Sequence, residues 1–197
     1  MSAGESKYIE RKSATARFAA GKRKAAEAVS PTEPDAAQLK QIQQHCKRIA
    51  QALMGKCGVE FRGRILEIGA GGAWLSAELS KLPRVVEIVA TDFEPNALRE
   101  DAPRVFAWLK ARADKITRTT MEAHELDFPN GYFDFIIAVG ALRHGLIVPL
   151  LLKECGRVLK PGGSLIAVPE PVQPLHKEKS RGRQTAAESA VHTVAEC

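Results

Sequence analysis

Four residues between Glu67 and Asp92 have the types and spacing to hold a ligand. Glu67 stands two residues before Gly69, Gly71 follows, and Asp92 comes about twenty residues beyond the glycines, in "ILEIGAGGAWLSAELSK" and "VATDFEPNAL". Glycines between an apolar run and a helical run let the backbone turn tightly, and let a ligand approach without meeting a Cβ. Amides at the start of the helix would then face that ligand. A dinucleotide fingerprint needs a third glycine at position 74, where the chain has Trp74, and the acid before the glycines would repel a pyrophosphate. No Gly-Lys-Ser or Gly-Lys-Thr follows, so a phosphate-cradling P-loop is also excluded. The pattern suits a ligand with an amine or cationic centre for Glu67 and a ribose whose two hydroxyls Asp92 would accept. The plainer role for Asp92 is to cap the next helix.

Other reactive side chains are sparse. Cys46, Cys57, Cys155 and Cys197 form no C-x-x-C pair and show no histidine spacing of a zinc site, so they read as free thiols and no metal is expected. His144, beside Arg143 and just after a strong apolar run, is the one histidine placed to act as a general base. A structural role at a helix start, or contact with substrate, is the alternative.

These residues need elements to position them. "DAAQLKQIQQHCKRIAQALMGKCG" carries Leu39, Ile42, Cys46, Ile49, Ala50 and Leu53 at helical spacing and predicts one amphipathic helix. "RILEIG" then reads as a buried strand, "AWLSAELSKL" as a helix and "VVEIVATD" as a second strand. "PNALRED" and "RVFAWLKARAD" are helical with a break at Pro103, "KITRTT" a short strand, "FDFIIAVGA" a strong one, "VPLLLKECGRVL" a helix and "SLIAVPEP" a fifth strand. Apolar strands alternating with helices imply a doubly wound, mainly parallel sheet of the α/β class. Ligands of such sheets bind beyond the carboxyl ends of the strands, where Glu67, Gly69, Asp92 and Ala138 lie.

Four stretches in order resemble the class I S-adenosylmethionine-dependent methyltransferases, from about Ile65 to Pro171. "LEIGAGGAWL" is similar to their E/D-x-G-x-G-x-G motif, and "VATDFEPNAL" to the second-strand motif with its ribose-binding acid. "MEAHELDFPNGYFDFIIAVGALRH" resembles D-A-x-x-L-P-F-x-D-G-x-F-D followed by a strand and Leu-x-His, and "ECGRVLKPGGSLIAV" resembles E-x-x-R-V-L-K-P-G-G. The resemblance implies S-adenosylmethionine as cofactor, with Glu67, Gly69 and Gly71 at its methionyl part and Asp92 at its ribose. It places Phe93 beside the adenine, Glu122 and Ala123 where the family's Asp-Ala pair meets the adenine amino group, and Ala138 and Val139 on the floor near the methionyl group. Phe93 could instead simply pack, and Glu122 could be a surface acid. The third glycine is replaced by Ala73, and Asp127 and Asn130 replace a proline and an aspartate. The implied fold is a Rossmann-like sheet in the order 3-2-1-4-5. The family's sixth and antiparallel seventh strands are expected to be absent or incomplete, because the stretch after Pro174 contains no convincing strand. The fifth strand would then be an open edge, blunted only at its end by Pro169, Pro171 and Pro174, and a homodimer through that edge is the expected consequence.

At 197 residues the chain suits one domain with tails: a basic arm over 1–35, the cofactor-binding domain over 36–175, and a polar tail over 176–197. The net charge is +6, concentrated at the start: Lys7, Arg11, Lys12, Arg17, Lys22, Arg23 and Lys24 outnumber Glu5, Glu10 and Glu27. Small residues dominate there, so a solvated, partly helical arm is expected; contact with nucleic acid, or organelle targeting, is the sharper alternative. No apolar run is long enough to span a membrane and no secretory signal is visible, which predicts a soluble, cytoplasmic protein. The acceptor has no signature: Asn-Pro-Pro-aromatic is absent, and the fourth stretch is most similar to the subgroup acting on small molecules. The first reading is therefore a small-molecule methyltransferase. A nucleic-acid methyltransferase using the basic arm is the alternative, as is a truncated or non-catalytic binding protein.

Overall fold

A computed structural model describes residues 5–10, 36–55, 58–141, 148–168 and 192–195. The strands are β1 (Lys7–Glu10), β2 (Gly63–Ile68), β3 (Val85–Asp92), β4 (Ile116–Thr120), β5 (Phe133–Val139), β6 (Leu159–Val168) and β7 (His192–Ala195). The helices are α1 (Ala36–Gly55), α2 (Trp74–Leu79), α3 (Ala102–Leu109), entered through a wide π-type turn at Ala97–Asp101, and α4 (Val148–Val158). One sheet runs β1-β4-β3-β2-β5-β6-β7, parallel throughout except for β7. Its middle five strands take the expected order 3-2-1-4-5.

The apolar runs that made these strands legible alternate between two cores, because successive side chains point to opposite faces. Ile65, Ile88, Ile116, Ile137 and Ile166 point to the face covered by Ala50 and Leu53 of α1, by α2 and by Val105 and Phe106 of α3. Leu66, Val89, Ile136, Ala138 and Leu165 point to the other face, against Leu151, Cys155 and Val158 of α4. The two cores make the sheet doubly wound. They also fix the register that brings Ile68, Asp92, Thr120 and Val139 to one end.

Two findings correct the sequence reading. Part of the supposed arm is a strand: β1 pairs in parallel with β4 from Lys7↔Thr117 to Glu10↔Thr120. Tyr8 anchors it by packing on the core, and its hydroxyl shares a 2.9 Å hydrogen bond with Thr120. Buried Arg118 closes the joint, donating to the Leu98 carbonyl (2.6 Å) and the Ser6 carbonyl (3.0 Å), with its guanidinium 5.6 Å from the Tyr8 ring centre. Carbonyl oxygens and a π-face thus balance this cation. The second correction concerns the far edge. His192–Ala195 forms β7, antiparallel to β6 from Ser164↔Ala195 to Ala167↔His192, so the fifth expected strand is covered over that span and the open edge invoked for a homodimer is paired from within the chain. The missing final strands were therefore misjudged in part: an antiparallel closing strand is present. The stretch from 11 to 35, with most of the arm's basic residues, lies outside the described residues.

Candidate functional site

The loop between β2 and α2 and the end of β3 form one unit. Asp92 is buried, and its Oδ2 accepts the Gly71 N–H at 2.7 Å while Oδ1 accepts the Glu94 N–H at 2.9 Å. The Ala70 N–H reaches the Thr91 carbonyl at 2.9 Å, so the glycine loop is tied to β3 twice. Burial holds Asp92 above the ordinary carboxylate value, against the lowering effect of the backbone N–H groups that bond it. The Phe93 N–H also bonds this carboxylate, and the acceptor capacity that remains is what a ribose hydroxyl would use.

Gly71 has φ +51°, and a Cβ there would meet nothing within 4 Å, so its backbone borders open space beside Asp92. Gly69 has a different reason to be glycine. Its φ is +71°, and a Cβ would lie 2.5 Å from the Cβ of Ala141, in the loop after β5. The missing third glycine is Ala73, whose φ of 55° is left-handed. Alanine there costs on the order of 1 kcal/mol relative to glycine.

Glu67 lies deeper than the sequence suggested. It is buried, and its Oε2 accepts both the Ser76 N–H (2.9 Å) and the Ser76 hydroxyl. The acid therefore serves the first turn of α2 from outside the helix, a partner that nothing in the motif announces. Burial pushes its carboxyl up to about 7, opposed by the two Ser76 bonds. Cys46 of α1 is buried nearby, and its thiol is pushed up to about 12 by burial first and by Glu67 and Glu78 next. It is an inert core thiol, as is buried Cys155.

Around this unit the remaining candidates fall into place unevenly. Phe93 is 51% exposed directly after Asp92, an apolar ring at the rim. The Met121 N–H donates to the Asp92 carbonyl at 3.0 Å, which brings the start of the Glu122 and Ala123 segment beside Asp92. Glu122 is half-buried, 3.4 Å from His124 Nδ1. Ala138 is 1% exposed with its side chain in the α4-side core, so only its backbone is available to the site, and Val139 packs against the other core. His144 lies outside the described residues. Sequence reasoning missed Ser76, and also Trp74 and Trp108, whose rings lie 6.1 Å apart with Trp74 Nε1 against Gly72. Among the described residues no cluster of histidine, cysteine, aspartate and glutamate is arranged for a metal.

An open glycine backbone, a buried acid with spare acceptor capacity and an exposed aromatic ring at the end of a doubly wound sheet fit the nucleoside part of S-adenosylmethionine. Together with the strand order they define a methyltransferase-type nucleoside-binding domain. A family model described as a methyltransferase domain matches residues 66–167, just over half of the chain, and the chain belongs to that family, the class I S-adenosylmethionine-dependent methyltransferases. It is 30% identical over 112 residues to the ubiquinone/menaquinone biosynthesis C-methyltransferase UbiE of Pseudomonas fluorescens, covering 56% of this chain and 43% of that protein. It is 25% identical over 133 residues to a malonyl-[acyl-carrier protein] O-methyltransferase of Halorhodospira halophila, covering 68% and 43%. The chain thus spans less than half the length of either relative. A solved Methanococcus maripaludis protein, assigned to the S-adenosyl-L-methionine-dependent methyltransferases, shares the fold with TM-score 0.54 and 23% identity over 72% of this chain and 68% of its own.

Proposed function

We propose that this chain transfers a methyl group from S-adenosylmethionine to a small-molecule acceptor by in-line displacement. When bound, the cofactor supplies an electrophilic methyl group on a sulfonium. In this reading Asp92 fixes the ribose, the Gly71 backbone admits the methionyl part without a Cβ in the way, and Glu67 places negative charge beneath a cationic ligand. Holding two reactants in register contributes on the order of 7 to 11 kcal/mol to such a reaction, so positioning is the protein's main task. One observation carries the reading: Asp92 Oδ2 bonded to the Gly71 N–H at 2.7 Å makes the ribose acid and the glycine loop a single surface. The small-molecule acceptor is supported by the name of the first relative, a C-methyltransferase of quinone biosynthesis, while the second is an O-methyltransferase whose malonyl acceptor rides on a carrier protein. An acceptor screen should accordingly span carbon and oxygen nucleophiles.

The full chain titrated with S-adenosylhomocysteine should bind one equivalent. At a hundredfold excess over Kd, linkage gives about 2.7 kcal/mol of stabilisation, a rise of roughly 5 to 10 °C in Tm. Intrinsic fluorescence should change in parallel, because Trp74 lies against Gly72 of the glycine loop and Trp108, the other tryptophan of the chain, has its ring 6.1 Å from that of Trp74. An equal response to NADH, or none to S-adenosylhomocysteine from a folded sample, would overturn the reading.

A further inference from the structure

The segment between β4 and β5 has no regular structure, yet its first half is held at two points with one short turn between them. The first point is Met121, whose N–H donates to the Asp92 carbonyl at 3.0 Å. The second is Leu126. Its side chain is buried, its N–H donates to Glu154 Oε2 at 3.1 Å, and its carbonyl accepts Arg157 Nη2 at 2.6 Å. Between them lie Glu122 to Glu125, closed by the Glu125 N–H on the Glu122 carbonyl at 3.1 Å, the bond of a β-turn.

Arg157 does more than grip Leu126. Nη1 donates to the Phe128 carbonyl at 2.7 Å and to Asn130 Oδ1 at 3.0 Å, and Glu154 orients the guanidinium through Nε (2.9 Å) and Nη2 (2.7 Å). A planar fork held by a carboxylate can present fixed donors to several carbonyls at once, which a lysine cannot. The spacing of Glu154 and Arg157, three apart on α4, puts both on one helical face. No metal, ligand or second chain is needed to explain the cluster. Its targets are all on the segment that carries the turn.

We propose that Arg157, oriented by Glu154, is a positioning residue that sets the height of the Glu122–Glu125 turn against the ribose acid, and so tunes recognition of the cofactor's adenine. The proposal rests on the cofactor reading above, in which Glu122 and Ala123 meet the adenine amino group. Met121 is fixed beside Asp92 at one end of the turn, and α4 holds Leu126 at the other. Loss of the clasp leaves the ribose and methionyl contacts in place and relaxes only the adenine contact.

The test compares the full-length wild type with Arg157→Gln, using S-adenosylhomocysteine and its 6-oxo analogue, in which hypoxanthine replaces adenine. Wild type should prefer the amino compound by about tenfold, the worth of one hydrogen bond at a site built for it. Arg157→Gln should bind S-adenosylhomocysteine about tenfold more weakly, bind the 6-oxo analogue nearly as before, and so bring the ratio of the two dissociation constants towards one. Arg157→Lys should fall between. Asp134→Asn, which loosens the unrelated contact of Asp134 with Lys160 and the Arg64 N–H, lowers stability elsewhere and should keep the wild-type ratio. Glu154→Gln tests the same clasp if Arg157→Gln fails to fold, with the ratio falling part-way. An unchanged ratio in folded clasp variants overturns the proposal, as does a wild type that binds both ligands equally. A wild type that binds neither overturns the cofactor reading as well, which separates the two failures.

Discussion

Asp92→Ala should weaken binding of S-adenosylhomocysteine by two to three orders of magnitude. The carboxylate accepts backbone N–H groups, those of Gly71 and Glu94 among them, and in the proposed complex the ribose hydroxyls as well. Hydrogen bonds to a charged acceptor contribute about 1.5 to 3 kcal/mol each, and a lost pair therefore reaches about 3 to 4 kcal/mol once some water re-enters. Truncation also frees the Gly71 N–H, so the glycine loop loses one of its two ties to β3. Asp92→Asn keeps an oxygen acceptor but presents an amide where a hydroxyl should donate, and should lie between the two. Calorimetric titration of folded variants checks this, with circular dichroism confirming the fold. Wild-type affinity in Asp92→Ala would remove the ribose from this end of β3 and make the acid a loop tie alone.

Glu67→Gln should flatten the dependence of stability on pH. The folded chain holds the Glu67 carboxyl at about 7 against an ordinary 4.5, because burial disfavours the charged form. Between those values the native state keeps a proton that the unfolded state has released. Its contribution is therefore fully present below about pH 4.5 and is lost as pH rises through about 7. The shift corresponds to roughly 3 kcal/mol of stability lost by pH 9. The glutamine variant has nothing to ionise there, and its oxygen can still accept from Ser76. Urea unfolding at pH 5 and pH 9 should show the wild type losing roughly 2 to 3 kcal/mol more than the variant across that interval, the remainder being lost already below pH 5. Matching pH profiles would mean that Glu67 stays ionised and that water or a cation reaches it. A ligand that brings positive charge above Glu67 recovers part of the ionisation cost, so stabilisation by S-adenosylhomocysteine, with its cationic amino group, should grow from pH 6 to pH 8 in the wild type only.

The parts of this fold that could be read in advance are those in which chemistry dictates residue type at fixed spacing. Glycine at a left-handed turn, an acid after the second strand and apolar runs buried on both faces each leave a mark in sequence. Gly71, Asp92 and the five central strands were legible for that reason. β1 and β7 were not. Each is four residues long, and what holds β1 is not its own propensity but Tyr8 and Thr120 meeting across the sheet. Glu67 was recognised as important but not as a ligand of Ser76, because an acid that accepts from a helix amide nine residues on has no signature distinct from one that waits for a ligand. The family resemblance set Ala138 on the floor of the pocket, and the two-residue period of the strand turns its side chain into the α4 core, leaving its backbone to face the site. Arg157 sat in full view within a recognised motif. Two of the groups it holds are backbone carbonyls, which every residue has, so only the fold reveals what it grips.

The order of the strands also governs when the sheet can be completed. β2, β3, β4 and β5 are neighbours along the chain and can pair as they are synthesised. β1 must wait for a partner 112 residues away, the separation between Tyr8 and Thr120. At about 5 to 20 residues per second, translation alone delays that meeting by roughly 5 to 20 seconds. Parallel pairing across such a separation carries a loop-closure cost that local contacts do not. The nascent chain therefore spends that interval with β1 unpaired, and the edge of the sheet beyond β4 is closed only once β4 has emerged. Native-state hydrogen exchange should find the Tyr8 and Ile9 amides opening well before those of Ile65 and Leu66, and equal protection would place β1 within the first cooperative unit to fold.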